Sequence, residues 1–99
     1  MKIDVVKNGT NLTVRPEGRM DSASSPEVDS RIRAEADGVM ALILDLEHVE
    51  YVSSGGLRVI LSWQQEMENR GGSMKVLHVN EYIMEVFDLT GFINILTIE

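Results

Sequence analysis

Val39 to Leu46 is an almost unbroken apolar run, and it restricts the possible folds more than any other stretch of the chain. Bounded by Asp37-Gly38 before it and Glu47-His48 after it, the run is too short for an independent helix and reads as a central strand covered on both faces. The chain then passes through Val49 to Val52 into Ser53-Ser54-Gly55-Gly56. A helix is predicted from about Ser54, with Leu57, Ile60, Leu61 and Gln64 on one side, Val59, Trp63 and Met67 widening the apolar arc, and Arg70-Gly71-Gly72 as its stop. A buried strand running directly into an amphipathic helix is the repeating unit of an α/β sheet.

The flanking sequence extends that unit in both directions. Ile3 to Lys7 and Leu12 to Glu17 alternate apolar and polar residues about Asn8-Gly9, a pair suited to the positive φ angles of a tight hairpin. Gly18-Arg19-Met20-Asp21 reads as a turn. Ser25-Pro26-Glu27 then has the cap, first-turn proline and acidic residue of a helix start. That helix runs to about Ala36, with Val28, Ile32 and Ala36 as its core stripe and Glu27/Arg31 and Asp29/Arg33 as i,i+4 pairs. Met74 to Val79 reads as a strand, Asn80 caps a third helix closed by Gly91, and Ile93 to Ile98 reads as a last strand. The order ββαβαβαβ predicts a single α/β domain over residues 1–99. Its mixed sheet has an N-terminal antiparallel hairpin followed by right-handed crossovers. A chain of this length buries roughly 60–68% of its unfolded surface, enough to fold without covalent staples.

Composition removes several function classes. The chain has no cysteine, so disulfides, thiolate metal sites and thiol nucleophiles are excluded. No apolar run approaches the roughly 20 residues that span a bilayer, and the start Met1-Lys2-Ile3-Asp4 lacks the apolar core of a signal peptide. A soluble cytoplasmic protein without direct membrane insertion is expected. The formal charge of −7 opposes phosphate backbones, which argues against nucleic acid and favours a partner with a basic face.

Chemistry concentrates at Ser54. A helix N-terminus carries unpaired N–H groups and roughly +0.5 of a charge, so it can hold a phosphate or present an alcohol to a phosphoryl donor. Ser53 and Ser54 are equally good helix caps, a role that needs no further function. Gly55 and Gly56 cost about 1 kcal/mol each inside a helix, and they are expected to let another molecule's backbone or a phosphate approach Ser54. Neither a nucleotide-binding glycine loop nor a serine-hydrolase elbow is present, and His48 and His78 are isolated, so no catalytic residue, metal ligand or cofactor site is expected. Asp21 ends a turn where aspartate commonly caps. If the second and third strands are parallel neighbours, Asp21 and Ser54 share the carboxyl end of the sheet. Asp45, Glu47 and Glu50 extend that acidity toward the Ser54 loop, although a solvated surface is the simpler reading. The six methionines and Trp63 read as core or as adaptable contact surface.

At this level the segment DLEHVEYVSSGGLRVIL resembles the signature of STAS domains, and among them that of bacterial anti-sigma-factor antagonists. Gly18-Arg19-Met20-Asp21 resembles the family's G-x-[LF]-D turn, and Val86-Phe87-Asp88-Leu89-Thr90-Gly91 resembles its F-x-[LM]-[ST]-G segment, so the resemblance covers the whole chain. It implies a non-enzymatic switch. Unphosphorylated, such a protein binds an anti-sigma factor that is also a serine kinase and so frees the sigma factor; phosphorylation on Ser54 releases it, and a metal-dependent serine phosphatase reverses the mark. Arg19, Asp21, Ser53, Gly55, Gly56 and Arg58 are then the expected partner contacts. Ser53 stands where many members have aspartate, and Gly55 where many have serine, threonine or alanine. The same resemblance admits an interaction module without a phosphate cycle, such as a stressosome-like scaffold or the cytosolic subunit of a lipid transporter.

Overall fold

Asn8-Gly9 turns the chain with Gly9 at φ 63°, joining β1 (Ile3–Asn8) to β2 (Asn11–Pro16) in an antiparallel pair from Ile3↔Pro16 to Asn8↔Asn11. The computed structural model describes every residue from Met1 to Glu99. Beyond the hairpin come β3 (Gly18–Met20), α1 (Ser25–Glu35), β4 (Ala41–Asp45), β5 (Val49–Val52), α2 (Ser54–Asn69), β6 (Ser73–Leu77) and α3 (Glu81–Thr90), followed by a 3₁₀ turn at Phe92–Asn94. The main sheet has the order β1-β2-β4-β6, and β4 runs parallel to both of its neighbours. The expected mixed α/β sheet is therefore present, with the apolar run as an interior strand.

The cover on that strand is unequal. Leu42 and Leu44 are fully buried, packed with Val28, Ile32, Ile60 and Met67 in one continuous core, whereas Ala41 and Ile43 are only half-buried. Thr13 and Lys75 flank Ile43 in register, so the second face is more polar than a strand covered on both faces requires. The two long helices are tied to each other by Trp63, whose Nε1 donates to Asp29 Oδ1 at 2.8 Å.

Three elements differ from the sequence reading. Gly18–Met20 is a strand rather than part of a turn, and it pairs in parallel with β5, another short strand that the periodicity did not reveal. Elements of three or four residues carry too little alternation to be recognised singly; pairing creates them. The strand expected over Ile93 to Ile98 is absent. Gly91 closes α3 in the left-handed region at φ 81°, and Phe92 stacks on Phe87 at 6.4 Å, which folds the chain back into the 3₁₀ turn. Only the final residues reach the edge of β6, through the Val76↔Ile98 bridge. No helix is long and apolar enough to cross a membrane.

Candidate functional site

The second, two-stranded sheet builds the site. Parallel pairing of β3 with β5 places Met20 opposite Val52, and the Ser53 amide donates to the Met20 carbonyl at 2.8 Å. The loop that follows Met20 and the helix that follows Val52 therefore leave the sheet side by side. Asp21 and Ser54 share one end of the molecule, as parallel neighbours require.

At the start of α2 the two serines have different tasks. Ser53 is the N-cap: its backbone is extended at φ −89°, ψ 179°, and its Oγ accepts from the Gly55 amide at 3.2 Å. Ser54 occupies the first helical position, is exposed, and makes no side-chain hydrogen bond within the chain. Its hydroxyl thus stands free at the positive end of a 16-residue helix.

The glycines behave differently from the sequence expectation, because the close approach they permit is internal. A Cβ at position 56 would lie 2.7 Å from the Met20 carbonyl oxygen and 2.8 Å from Val52 Cγ1, and a Cβ at position 55 would lie 3.1 Å from Ser22 Cα. Gly56 is buried, so it shapes the site from beneath rather than offering a contact surface. Gly55 is half-buried and remains partly open beside Ser54.

Asp21 is engaged in its own loop. Its Oδ1 accepts from the Ala23 and Ser24 amides, each at 3.0 Å, and these backbone donors hold its carboxyl below the usual carboxylate value. It keeps a half-buried negative charge at the rim. Arg19 lies on the neighbouring surface, its guanidinium 4.2 Å from the centre of the Tyr51 ring, and Tyr51 stacks in turn on Tyr82 at 5.9 Å. Arg58, one helical turn beyond Ser54, is exposed and stands apart from every other cationic side chain in having no ion pair, hydrogen bond or aromatic partner. Between the starts of α1 and α2 a cleft of about 260 Å³ is lined by Ser22, Ser25, Asp29, Gly55, Arg58 and Val59. The Ser25 hydroxyl is buried there without a partner.

Sequence reasoning did not anticipate Tyr51, Tyr82 or Ser22, and it reads Ser25 as the cap of α1, whereas the N-cap is Ser24 and Ser25 is the first helical residue. An aromatic beside a glutamate, as in Glu50-Tyr51 and Glu81-Tyr82, was the only available signal for the first two. The acidic rim needs correction as well, because Asp45 is buried at 3% exposure and is not part of it. Its carboxylate accepts from Arg15 Nε at 3.0 Å, from the Glu47 amide at 3.0 Å and from His78 Nδ1 at 2.8 Å. Burial pushes the Asp45 carboxyl up, but the hydrogen bond from His78 and those from the Glu47 amide and Arg15 outweigh it and leave the group below its usual value. His78, isolated in sequence, is therefore paired in space, and that hydrogen bond raises its own pKa. Asp45, Glu47 and His78 are the one group of metal-ligating type brought together, with ligand atoms within 4.8 Å. The Arg15 guanidinium already holds Asp45 and opposes a cation, so the arrangement is that of an ion-pair cluster.

Comparison with known proteins agrees with this architecture. The STAS domain family model matches residues 2–99. The anti-sigma-B factor antagonist of Bacillus subtilis is 29% identical over 98 residues, covering 99% of this chain and 90% of its own. The crystal structure of an anti-sigma factor antagonist from Mycobacterium paratuberculosis superposes with a TM-score of 0.87 at 22% identity, covering 98% of this chain and 83% of its own. The Bacillus cell fate determinant SpoIIAA in its phosphorylated form gives a TM-score of 0.77 at 17% identity, with coverages of 99% and 91%.

Proposed function

The chain belongs to the STAS domain family, and from that premise we propose that it is an anti-sigma-factor antagonist switched off by phosphorylation on Ser54. The observation that carries the proposal is the division of labour at the start of α2. Ser53 supplies the cap, so the Ser54 hydroxyl is left exposed and unengaged. A serine needed only for helix stability would not require a second serine beside it.

The same geometry supports an electrostatic switch. A phosphate on Ser54 adds about −1.5 to −2 charges at neutral pH. In the free protein this charge lies at the amino end of α2, and Arg58 stands one turn away as an unpaired donor for a charge-assisted bond. The fold need not change. Against a docked partner the same charge is desolvated and unmatched, a penalty of about 4 kcal/mol or a thousandfold in affinity. The proposed docking surface is formed by Arg19, Asp21, Ser53 and Gly55 together with Ser54; Tyr51 and Tyr82 extend it through the Arg19–Tyr51–Tyr82 stack, and buried Gly56 supports it from below. In this reading the partner is an anti-sigma factor with serine kinase activity, a metal-dependent serine phosphatase resets the switch, and the protein itself is not an enzyme.

Binding of the cognate anti-sigma factor to three forms tests the proposal. Ser54→Ala is expected to bind like the unmodified protein and to gain no mass with kinase and ATP, whereas Ser54→Asp binds more weakly. Unmodified protein under the same treatment gains about 80 Da, one HPO3 group. Equal affinity of all three forms would overturn the switch. Retained binding without the mass gain would leave a STAS interaction module that works without a phosphate cycle.

A further inference from the structure

Residues 79–99 contain Glu81, Glu85, Asp88 and Glu99 and not one lysine or arginine; every cationic residue of the chain lies before them. The same segment is unusually apolar at its surface, with Ile93 at 39% and Ile95 at 47% exposure. Between α3 and the 3₁₀ turn runs a groove of about 580 Å³ with Val79, Met84 and Ile93 as its apolar lining and Glu81, Glu85 and Asp88 along its wall. Through Met84 and Ile93 it continues into a second hollow of about 520 Å³ bounded by Leu96, Thr97 and Ile98. None of these residues belongs to the Ser54 loop.

We propose that this groove is a second docking surface that takes a short amphipathic helix whose apolar face is flanked by lysine or arginine. Three observations select that occupant. The apolar lining of Val79, Met84 and Ile93, continued by Leu96 and Ile98, suits the apolar face of an amphipathic helix, and Met84 supplies an adaptable contact within it. The wall is purely acidic, so a basic flank is favoured and an acidic one is repelled. A second copy of the chain is disfavoured, because a two-fold contact would set Glu81, Glu85 and Asp88 against the same three carboxylates. Tyr82 on α3 faces Tyr51 and the Ser54 surface, while Met84 faces the groove, so the two surfaces lie on different flanks of one helix.

The probe is a fluorescein-labelled peptide of leucine and lysine, about four helical turns long, with its leucines at helical spacing. A second peptide has the same composition in scrambled order. The patterned peptide is expected to bind the full chain and to shift amide resonances within residues 79–98, while the scrambled one binds at least about tenfold more weakly. Ile93→Ser and Glu85→Lys, both at exposed positions, each weaken the patterned peptide by about tenfold. Far-UV and melting profiles of these variants match the parent. Ser54→Asp leaves this affinity within about twofold, which separates the groove from the proposed switch. Equal binding of the two peptides, no binding of the patterned one, shifts centred on the Ser54 face, or indifference to both variants overturns the proposal.

Discussion

At the scale of single residues, Gly55 and Gly56 make opposite demands despite their adjacency. Replacing either by alanine removes a glycine from the first turn of α2, a gain of at most about 1 kcal/mol. At position 56 the added methyl would lie 2.7 Å from the Met20 carbonyl oxygen, a backbone atom held by the Ser53 amide, so α2 and β3 must part. Gly56→Ala is therefore expected to lower unfolding stability by about 1–3 kcal/mol net, the usual range for overpacking. At position 55 the nearest atom is Ser22 Cα at 3.1 Å, in an exposed loop able to yield by a few tenths of an ångström, so Gly55→Ala stays within about 1 kcal/mol of the parent. Urea unfolding of the two variants checks the order, and equal losses would show that the Met20 approach is not what selects glycine at 56. The sequence makes the presence of two unfavourable glycines legible but not their cause. The carbonyl that crowds Gly56 belongs to a residue far away in the chain, and no local pattern records such an approach. Ser54 was legible for the opposite reason, since its position depends only on where a helix begins.

Helix starts and strand pairings account for most of what was and was not legible at the scale of elements. Caps act over three or four residues, so Asn80, whose Oδ1 accepts from the Ile83 amide at 2.8 Å, and Gly91 at the end of α3 were both readable. The 3₁₀ turn after Gly91 was not, because Phe92 stacking on Phe87 decides it and an apolar run alone suits strand and turn equally. β3 and β5 were missed because their pairing with each other defines them. The split between Ser53 and Ser54 gives a direct test of the helix start. Ser53→Ala removes the acceptor for the Gly55 amide and is expected to cost about 1 kcal/mol in unfolding free energy. Ser54→Ala, which removes no hydrogen bond, changes it by less than about 0.5 kcal/mol. Reversed magnitudes in thermal or urea unfolding would mean that Ser54 is the cap and its hydroxyl is not free.

Across the whole molecule, the Asp45 cluster joins three strands of the main sheet: Arg15 reaches from β2, Asp45 ends β4, and His78 follows β6. The hydrogen bond to Asp45 raises the His78 pKa above its ordinary 6.5, so the folded state holds this proton more tightly than the unfolded chain does. That contribution is complete below 6.5 and is lost as pH rises through the higher folded value. Asp21 and Asp45 lie below their ordinary 3.8, so what they contribute is present above 3.8 and is lost as pH falls through their folded values. Between 3.8 and 6.5 both contributions are in place. His78→Asn isolates the alkaline limb, because asparagine tolerates the left-handed backbone at φ 57° that His78 adopts, yet it does not titrate. Subtracting the variant's urea midpoint from the parent's removes the pH dependence that the two share. The difference is expected to favour the parent most at about pH 5.5 and to shrink toward pH 8.5, while both proteins keep an acid limb from Asp21. A difference independent of pH would mean that the imidazole joins β6 to β4 by a neutral hydrogen bond alone, and the sheet would then carry no proton-linked tie between its strands.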